Sequence, residues 1–411
     1  MNTYRRETIK FKPQATPQTI CSRYTQDSQR YQKIILKTPN SSIIFSSCGF
    51  RASKIVNPVA VSFSCSDELL NRIWEDGVRT VQMCTLAAGE VPEAWVATRR
   101  GTRVFGQHWA PCRMGTYWGD KQVTFDVLIE EHGASWGIHM VANGLIFVLD
   151  AEARTVQVCE GLSHLNTVFP SVERAIWKLP SELNTTEWLS IKIEAHGSTV
   201  ALEIDNLKIG CVDNINITPV CGGKQNTGSI AFGGPSGYIS LYRNLLVQDG
   251  GKTLYDNNLL LENKLRTFAD FAVGTNQLAC TIDGAKRDRA IFAGDLYVMG
   301  RSIFSSTLDL SAVKGGIELL ASHQTRDGYL GNLCPIQAPV HSSLEEPPTD
   351  SFYSLSYSLL LIVCIKDYWL HSGDEATVRR LWPKLAKLIT FTTTLMDERG
   401  LVVAAPSMSR K

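Results

Sequence analysis

Hydrophobic and polar positions change their period along the chain, and this change divides it into regions. Between about residues 92 and 249, apolar and polar residues alternate with a period of two in short runs, as in strands with one buried face. The runs predict strands at Val123–Glu130, Gly137–Val141, Leu145–Leu149, Thr155–Cys159, Leu189–Ala195, Val200–Ile204, Ser229–Phe232 and Tyr238–Leu246. Asn143-Gly144, His196-Gly197 and Asp205-Asn206 separate such runs as predicted hairpin turns. Eight short strands with turns between them predict an antiparallel β-sandwich.

The regions on either side have other patterns. Residues 1–64 are mostly polar, and Tyr31–Thr38 and Ser42–Ser46 are β-like runs that predict part of a further β-sandwich. A helix with Ser66 as N-cap follows in a linker at 65–91, because apolar residues recur there at three- and four-residue steps. From residue 257 onward, apolar stripes predict helices in an α-hairpin array, with Gly373 as a C-cap. These helices are Leu259–Val273, Ile291–Ser306, Ser311–His323, Phe352–His371 and Asp374–Asp397.

Composition and charge exclude several classes of protein. The 411 residues are enough for two or three domains, and 44% hydrophobic with 20% charged residues excludes a mainly disordered or fibrous chain. A formal net charge of +1 gives no basic surface for nucleic acid or an anionic membrane, so neither partner is expected. The longest apolar run, within Phe352–Ile365, is too short to span a bilayer.

The cysteines and the N-terminus bear on cofactors and localisation. Eleven cysteines are scattered singly without a CxxC pair, so no metal site is expected. Dispersed thiols are typical of buried cysteines in a reducing compartment. The basic N-terminus has no apolar segment behind it and therefore predicts no signal peptide. Five tryptophans could form a sugar-stacking platform, but such residues are more often core: Trp74, Trp95, Trp109, Trp118 and Trp136.

One charged segment differs from its surroundings and carries the candidate chemistry. Cys280–Asp295 reads CTIDGAKRDRAIFAGD, with three carboxylates (Asp283, Asp288, Asp295) and three cations in residues 283–295. Paired carboxylates are typical of glycosidic cleavage, because one must be protonated to serve the leaving oxygen while another activates water or attacks. Arginines can fix sugar hydroxyls and hold nearby carboxylates. The alternative is a solvated loop whose charges pair with one another.

Four stretches resemble one known family. DGAKRDRAIFAGD resembles the signature loop of the α-L-rhamnosidase family of six-hairpin glycosidases, most closely its fungal branch. SCSDELLNRIWEDGVRTVQ is similar to the helix before the catalytic domain, LASHQTRDGYLGNLCP to the segment after the first barrel helices, and DSFYSLSYSLLLIVCIKDYWLHSGDEATVRRLWPKL to the next hairpin. The resemblance covers about residues 45–411. It implies the N-terminal part of an (α/α)6 barrel at 257–411 and inverting hydrolysis of terminal α-L-rhamnosides without a cofactor.

The region at 92–256 would then be an insertion. WLSIKIEAHGSTVALEIDNLKI, followed by GSIAFGGPSGYISLYRNLLVQD, resembles the laminin-G and concanavalin-A-like jelly rolls. Folds of this kind include lectins as well as spacers, so the resemblance concerns fold and does not establish function.

The family resemblance also assigns roles to residues. It implies that Asp283 binds sugar hydroxyls, that Asp288 is the general acid, and that Asp295 contributes to the sugar pocket. Arg287 would hold the geometry of the first two carboxylates, and Phe292 would form a stacking wall where Trp is common. Many members carry Glu in place of Asp288, and the shorter Asp side chain moves the acid group by one methylene. A displacement of a catalytic group by about 1 Å can cost about a hundredfold in rate. The fungal branch shares the Asp.

Two objections accompany this assignment. A helix N-terminus and flanking Arg287 and Arg289 favour an ionised Asp288, whereas a general acid must be protonated; only burial or the charges of Asp283 and Asp295 would oppose this. Inversion also needs a second carboxylate roughly 6.5–9.5 Å from the acid, a Glu late in the barrel of the family. At about 12 residues per helix and about 6 per connection, the region holds about six to eight of twelve helices.

No residue matches that base. Glu345 and Glu346 are interpreted as solvated, and Glu318 as a surface residue. We therefore expect a truncated product with weak or no activity, and the leading interpretation is a glycoside hydrolase that releases terminal α-L-rhamnose. A non-catalytic carbohydrate-binding or remnant protein that uses the jelly roll is one alternative, and a six-hairpin hydrolase of another sugar is a second. The substrate is in each case a carbohydrate or a rhamnosylated glycoside; localisation is open, although the family favours secretion.

Overall fold

A computed structural model describes residues 9, 16–21, 31–49, 59–163, 171–217, 226–284, 288–341 and 354–403. The α-helices in these residues are α1 (Glu68–Cys84), α2 (Lys264–Asp270), α3 (Ala293–Phe304), α4 (Leu310–Ser322), α5 (Leu355–Ser372) and α6 (Glu375–Thr393). The strands are β1 (Thr85–Leu86), β2 (Val96–Ala97), β3 (Thr102–Phe105), β4 (Ala110–Pro111), β5 (Lys121–Glu131), β6 (Gly133–Met140), β7 (Asn143–Asp150), β8 (Thr155–Leu162), β9 (Val172–Lys178), β10 (Leu189–His196), β11 (Thr199–Ile204), β12 (Leu207–Val212), β13 (Ser229–Gly233), β14 (Ile239–Asp249), β15 (Lys252–Asn257), β16 (Cys280–Thr281), β17 (Ile291–Phe292) and β18 (Leu333–Cys334).

Two antiparallel sheets pack face to face as a β-sandwich. Within the described residues, one sheet has eight strands in the order β12-β11-β10-β5-β14-β3-β2, with β15 also paired to β14. The other has six strands in the order β4-β13-β6-β7-β8-β9. Period-two alternation produces this packing: Val123, Phe125 and Val127 of β5 are buried, whereas the residues between them are partly exposed. The predicted antiparallel β architecture is confirmed here.

Stacked and tilted aromatic rings fill the space between the sheets. Phe232 of β13 is fully buried, and its ring centroid lies 4.4 Å from Tyr242 and 5.1 Å from Phe125. It also contacts Trp95 at 6.4 Å and Phe271 at 5.7 Å. Trp95 precedes the first strand of the sandwich and Phe271 follows α2, so the core also holds the segments at which the chain enters and leaves.

The helices from α3 to α6 pack on one another through a second apolar core. Asp374 fixes three of them: it is the N-cap of α6 and accepts from the Thr377 N–H at 3.0 Å. The same carboxylate accepts from Lys314 of α4 at 2.8 Å and from the Tyr368 hydroxyl of α5 at 2.9 Å. These donors hold the pKa of Asp374 well below its usual range. Gly373 ends α5 with φ of 66°, as its predicted role as C-cap requires.

A buried asparagine joins the two chain segments that connect the sandwich to the helices. Asn276 is fully buried, and its side-chain Oδ1 accepts from the Val91 N–H at 3.0 Å. Its Nδ2 donates to the carbonyls of Ala87 at 2.7 Å and Leu278 at 2.9 Å, and its own carbonyl accepts from the Gly89 N–H at 2.8 Å. Strands β1 and β16 pair directly beside this cluster. The segments that enter and leave the sandwich are thus hydrogen-bonded to each other.

Several predicted elements are corrected by the structure. Residues 31–49 contain no strand, although Tyr31–Thr38 and Ser42–Ser46 were expected to form two; Ile44 is 94% exposed. An apolar run becomes a strand only where a partner strand and a covered face exist, and the described residues provide neither. The helix expected at Leu259–Val273 is confined to α2, because Leu259 and Ala272 both adopt positive φ.

Two local details also differ. The N-cap of α1 is Asp67, which accepts from the N–H groups of Leu69 and Leu70, and not Ser66. Asn143 and Gly144 were expected in a turn but begin β7, and the turn of this hairpin falls at 141–142. Gly144 serves close strand packing instead, since a Cβ there would lie 2.7 Å from the Ile138 carbonyl oxygen. The six-hairpin barrel stays a proposal: in the described residues, α3 to α6 are consecutive packed helices that do not close a ring.

The hydrogen bonds of Asn276 to Ala87, Gly89, Val91 and Leu278, called the asparagine clamp from here on, generate a stability prediction. Asn276→Ala removes three side-chain hydrogen bonds from a buried site and leaves one N–H and two carbonyls without those partners, so the free energy of unfolding should fall by about 2–4 kcal/mol. Urea unfolding of the purified chain measures the change. Asn184→Ala is the control, because Asn184 is exposed and bonds within its own turn, and its effect should stay below about 1 kcal/mol. Equal effects in the two variants would contradict the clamp.

Candidate functional site

Hydrogen bonds join Asp283 and Ala290, two described residues of the charged segment, and residues 283–290 are called the loop below. The Asp283 N–H donates to the Ala290 carbonyl at 3.0 Å, and the Ala290 N–H donates back to Asp283 Oδ1 at 3.1 Å. Before the loop, β16 pairs with β1, and after it β17 pairs with β18. The two ends of the loop are therefore fixed to separate strand pairs, and α3 begins directly after β17.

The predicted site residues differ in their burial and in the element that holds them. Asp283 is half-buried at the base of the loop, and Asp295 is half-buried in the first turn of α3, where a carboxylate is favoured by the helix dipole. Phe292 is half-buried at the N-cap of α3. Asp288 is exposed, so the described residues do not shield it from water in the free chain. Arg287 lies outside the described residues.

Tyr357 of α5 is a residue that the sequence interpretation missed. Its ring packs on Gly294, where an added Cβ would come within 2.7 Å of the ring, and lies edge-on to Phe292 at 6.5 Å between centroids. Together Phe292 and Tyr357 form an aromatic wall beside the start of α3. The sequence signal for this contact is limited to a cluster of aromatic residues at 352–357. That cluster does not indicate that Tyr357 contacts Phe292, 65 residues earlier in the chain.

A buried histidine lies at the contact between the sandwich and the helices. His323 follows α4, and its Nε2 lies 2.6 Å from Nη2 of Arg113, which belongs to the 3-10 turn Arg113–Gly115 of the sandwich region. A guanidinium only donates, so Nε2 must be the acceptor and the ring is neutral. Its Nδ1 lies 3.0 Å from the Leu319 carbonyl and accordingly carries the proton. Burial first, then the positive charge of Arg113, lowers the pKa of His323 to about 3.

Cys334 completes this cluster without forming a catalytic pair. Its thiol is fully buried, lies 3.3 Å from His323 Nδ1, and belongs to β18 opposite Ile291. A cysteine nucleophile needs a neighbouring imidazolium or a base with access to substrate. The neutral ring of His323 and the complete burial of both groups oppose such a role, which favours the predicted buried thiol.

Other features of the described part of the chain lie away from the loop. Two shallow depressions, of about 310 and 350 Å³, lie on the sandwich; one includes Glu173 and Asp213, the other Asp120 and Glu194, and neither is lined by the loop residues. No helix described here combines the length and apolarity needed to cross a bilayer. Among the described residues, no three His, Cys, Asp or Glu side chains are grouped as metal ligands.

Comparison with known proteins gives only distant structural likenesses. No protein-family profile matches the sequence, and no curated protein does. A carbohydrate-binding module, CBM66 from Bacillus subtilis, is 14% identical and covers 38% of this chain and 92% of its own, with a TM-score of 0.31. Galectin LEC-6 from Caenorhabditis elegans is 8% identical, covering 36% and 96%, with a TM-score of 0.25.

A Bacillus subtilis protein of unknown function with a galectin-like fold is 16% identical, covers 38% of this chain and 87% of its own, and has a TM-score of 0.28. Likenesses at this level carry no argument about activity. The assignment of antiparallel sheets therefore rests on the strand order and register of the chain itself.

The His323 contact predicts a pH dependence of stability. The pKa of the folded-state ring is about 3 and its usual value is 6.5, so between these values the unfolded chain binds a proton that the folded chain does not. Stability is consequently lost as pH falls below 6.5, by up to about tenfold in the folding constant per pH unit for this group. His323→Gln, which keeps an acceptor for Arg113, should lose about fivefold less in the folding constant between pH 6.5 and 5.5 than the wild-type protein.

Urea midpoints at pH 7.5, 6.5 and 5.5 measure this difference. His139 is a second buried ring whose pKa is lowered to about 3, chiefly by burial, and it persists in the variant, so some acid sensitivity remains. Asn184→Ala, at an exposed side chain that carries no titratable group, is the control and should retain the wild-type pH dependence. If His323→Gln and the wild type lost stability in parallel, the neutral-histidine assignment would be wrong.

Proposed function

We propose that the protein acts on carbohydrate, as a glycoside hydrolase of the α-L-rhamnosidase type that releases terminal α-L-rhamnose. The observation that carries this proposal is the pair of hydrogen bonds between Asp283 and Ala290, which fixes Asp283 directly before β17 and α3. Asp283 and Asp295 therefore belong to one short, constrained segment. The resemblance of DGAKRDRAIFAGD to the family signature gives this segment its proposed chemistry.

Each residue has a proposed role in binding a sugar. Asp283 and Asp295 are half-buried carboxylates that would accept hydrogen bonds from sugar hydroxyls. The rings of Phe292 and Tyr357 would contact the apolar C–H face of a pyranose, since binding sites combine apolar walls with a few polar groups. Arg287 is proposed to orient the carboxylates, as the family resemblance implies.

Asp288 is proposed as the general acid that protonates the leaving oxygen. Because its side chain is exposed, the bound glycoside itself would have to exclude water from it. Catalytic contacts often tighten only in the complex with substrate, so exposure in the free chain is compatible with this role. Inversion would further require a base on the opposite side of the sugar, and the loop does not supply it.

Exposure of Asp288 also favours a second candidate function, which is carbohydrate binding without turnover. A loop that holds Asp283 and Asp295 but leaves its acid in solvent can recognise a sugar without cleaving it. The two candidates share the sugar-binding residues and differ only in whether Asp288 contributes to a chemical step.

Variants of the loop separate these candidates. The full chain should bind methyl α-L-rhamnopyranoside and release phenol slowly from phenyl α-L-rhamnopyranoside, whose leaving group is basic enough to need a proton donor. Asp288→Asn should retain binding but lower the rate about 10²-fold or more, since it removes the proton donor. Asp283→Asn should weaken binding at least tenfold, because an amide cannot replace the acceptor pattern of a carboxylate. Calorimetry and a continuous absorbance assay measure the two effects.

Asp256→Asn is the matched control, because Asp256 is an exposed carboxylate on β15 away from the loop. Binding without any turnover would favour the second candidate. Unchanged turnover in Asp288→Asn would refute the acid assignment, and rhamnoside binding that Asp283→Asn leaves intact would exclude the loop as the sugar site.

A further inference from the structure

A polar cluster on the solvent face of the eight-stranded sheet is independent of the loop. Ser190 of β10, Asp126 of β5 and Arg243 of β14 are cross-strand neighbours in one row. Side chains of paired residues on one face lie within reach of one another. Trp188 precedes β10 by one residue, and the guanidinium of Arg243 lies 3.9 Å from the centre of its ring.

A β-bulge adds a second donor to this row. The pairing of β14 with β5 shifts register between Arg243 and Leu246, and Asn244 adopts φ of 55°. Bulges redirect side chains and are enriched beside binding sites, and Asn tolerates the left-handed region better than most residues. The result is that Arg243 Nε and Asn244 Nδ2 both donate to Oδ2 of Asp126, at 3.0 and 2.8 Å.

The cluster retains unused hydrogen-bonding capacity. Within the described residues, the two terminal nitrogens of Arg243 and the Oδ1 atom of Asp126 have no hydrogen-bond or ion-pair partner. The side chains are 34% and 24% exposed, so these atoms are accessible but not freely mobile. Stacking on Trp188 and the bond to Asp126 fix the plane of the guanidinium.

A second arginine, Arg301 on the helices, also lies over an aromatic ring and pairs with a carboxylate, but both oxygens of that carboxylate are paired. Arg301 lies 4.2 Å from the ring centre of Tyr297 and pairs through Nε with Oδ2 of Asp367 at 3.2 Å. The other oxygen of Asp367 is already paired with Lys366 at 3.2 Å. That carboxylate is satisfied on both oxygens, whereas Asp126 keeps one oxygen available beside an available guanidinium edge.

We propose that Asp126, Arg243 and Asn244, supported by Trp188, form a binding site for a sugar ring with two adjacent hydroxyl groups. A guanidinium edge donates in a fork and a carboxylate oxygen accepts, which matches the donor and acceptor pair that vicinal hydroxyls present. The one positive and one negative charge cancel, which favours a neutral polyhydroxylated ligand over an anion or a cation. The site does not rest on the loop at 283–290 and would operate whether or not that loop is catalytic.

The test measures glycoside binding by the full chain with saturation-transfer NMR and calorimetry. The probes are methyl β-D-galactopyranoside and methyl α-D-mannopyranoside at millimolar concentration, because methyl α-L-rhamnopyranoside is the proposed ligand of the loop. At least one should bind, and Arg243→Met, which keeps the stem over Trp188 but removes the fork, should weaken it at least tenfold. Asp126→Asn should do the same, while Arg301→Met and Asp283→Asn should leave this binding unchanged. Circular dichroism verifies folding, and Arg243→Lys replaces Arg243→Met if that variant does not fold.

The outcomes are distinct from those of the proposed function. Binding that is lost in Asp283→Asn but kept in Arg243→Met would place the ligand at the loop and overturn this inference. Failure of both glycosides to bind would overturn it as well. Binding that is lost in Arg243→Met and Asp126→Asn but kept in Asp283→Asn would support the sheet site, even if the chain showed no hydrolytic activity.

Discussion

The need to satisfy buried polar groups where the sandwich joins the helices constrains the whole molecule. A sandwich within a longer chain brings two connecting segments together, and their backbone groups become buried where they meet. Asn276 satisfies these backbone groups with four hydrogen bonds to residues of both segments. Asp283 follows only seven residues later, after β16 has paired with β1. The loop position therefore depends on the clamp, and sandwich and loop are coupled through its geometry.

The contact of Arg113 with His323 joins the same two parts at a second place and has different physical properties. The clamp consists of neutral amides and is indifferent to pH, whereas the second contact requires an unprotonated imidazole next to a guanidinium. Both contacts are buried, so breaking either one leaves polar groups in a poorly solvated environment. Together they fix the sandwich relative to the helices more firmly than an apolar contact of similar size, because hydrogen bonds are directional.

Elements whose signal is local were predicted well from sequence. Strands β10 and β11 alternate strictly in burial and β13 is wholly buried, and helices α3 to α6 match their predicted spans within about four residues. Strand β9 was missed because it is an edge strand with mostly exposed residues, and only Ala175 and Trp177 pack against the core. The opposite error occurred at Tyr31–Thr38, where β-prone residues have no partner strand in the part of the chain that the structure describes. Strand formation depends on pairing, which a local pattern does not contain.

The chemistry of the candidate sites was only partly accessible from sequence, for a related reason. The residue types in the loop were visible, but their usefulness depends on burial and on partners such as Tyr357, which come from distant positions. The sheet cluster was missed altogether, since Asp126 and Arg243 are 117 residues apart and meet only through β5–β14 pairing. Its key feature, the bulge at Asn244, has no local sequence signature. A carboxylate becomes a binding group when the fold leaves one of its oxygens unpaired beside a fixed donor, and this is a property of strand register that no single segment encodes.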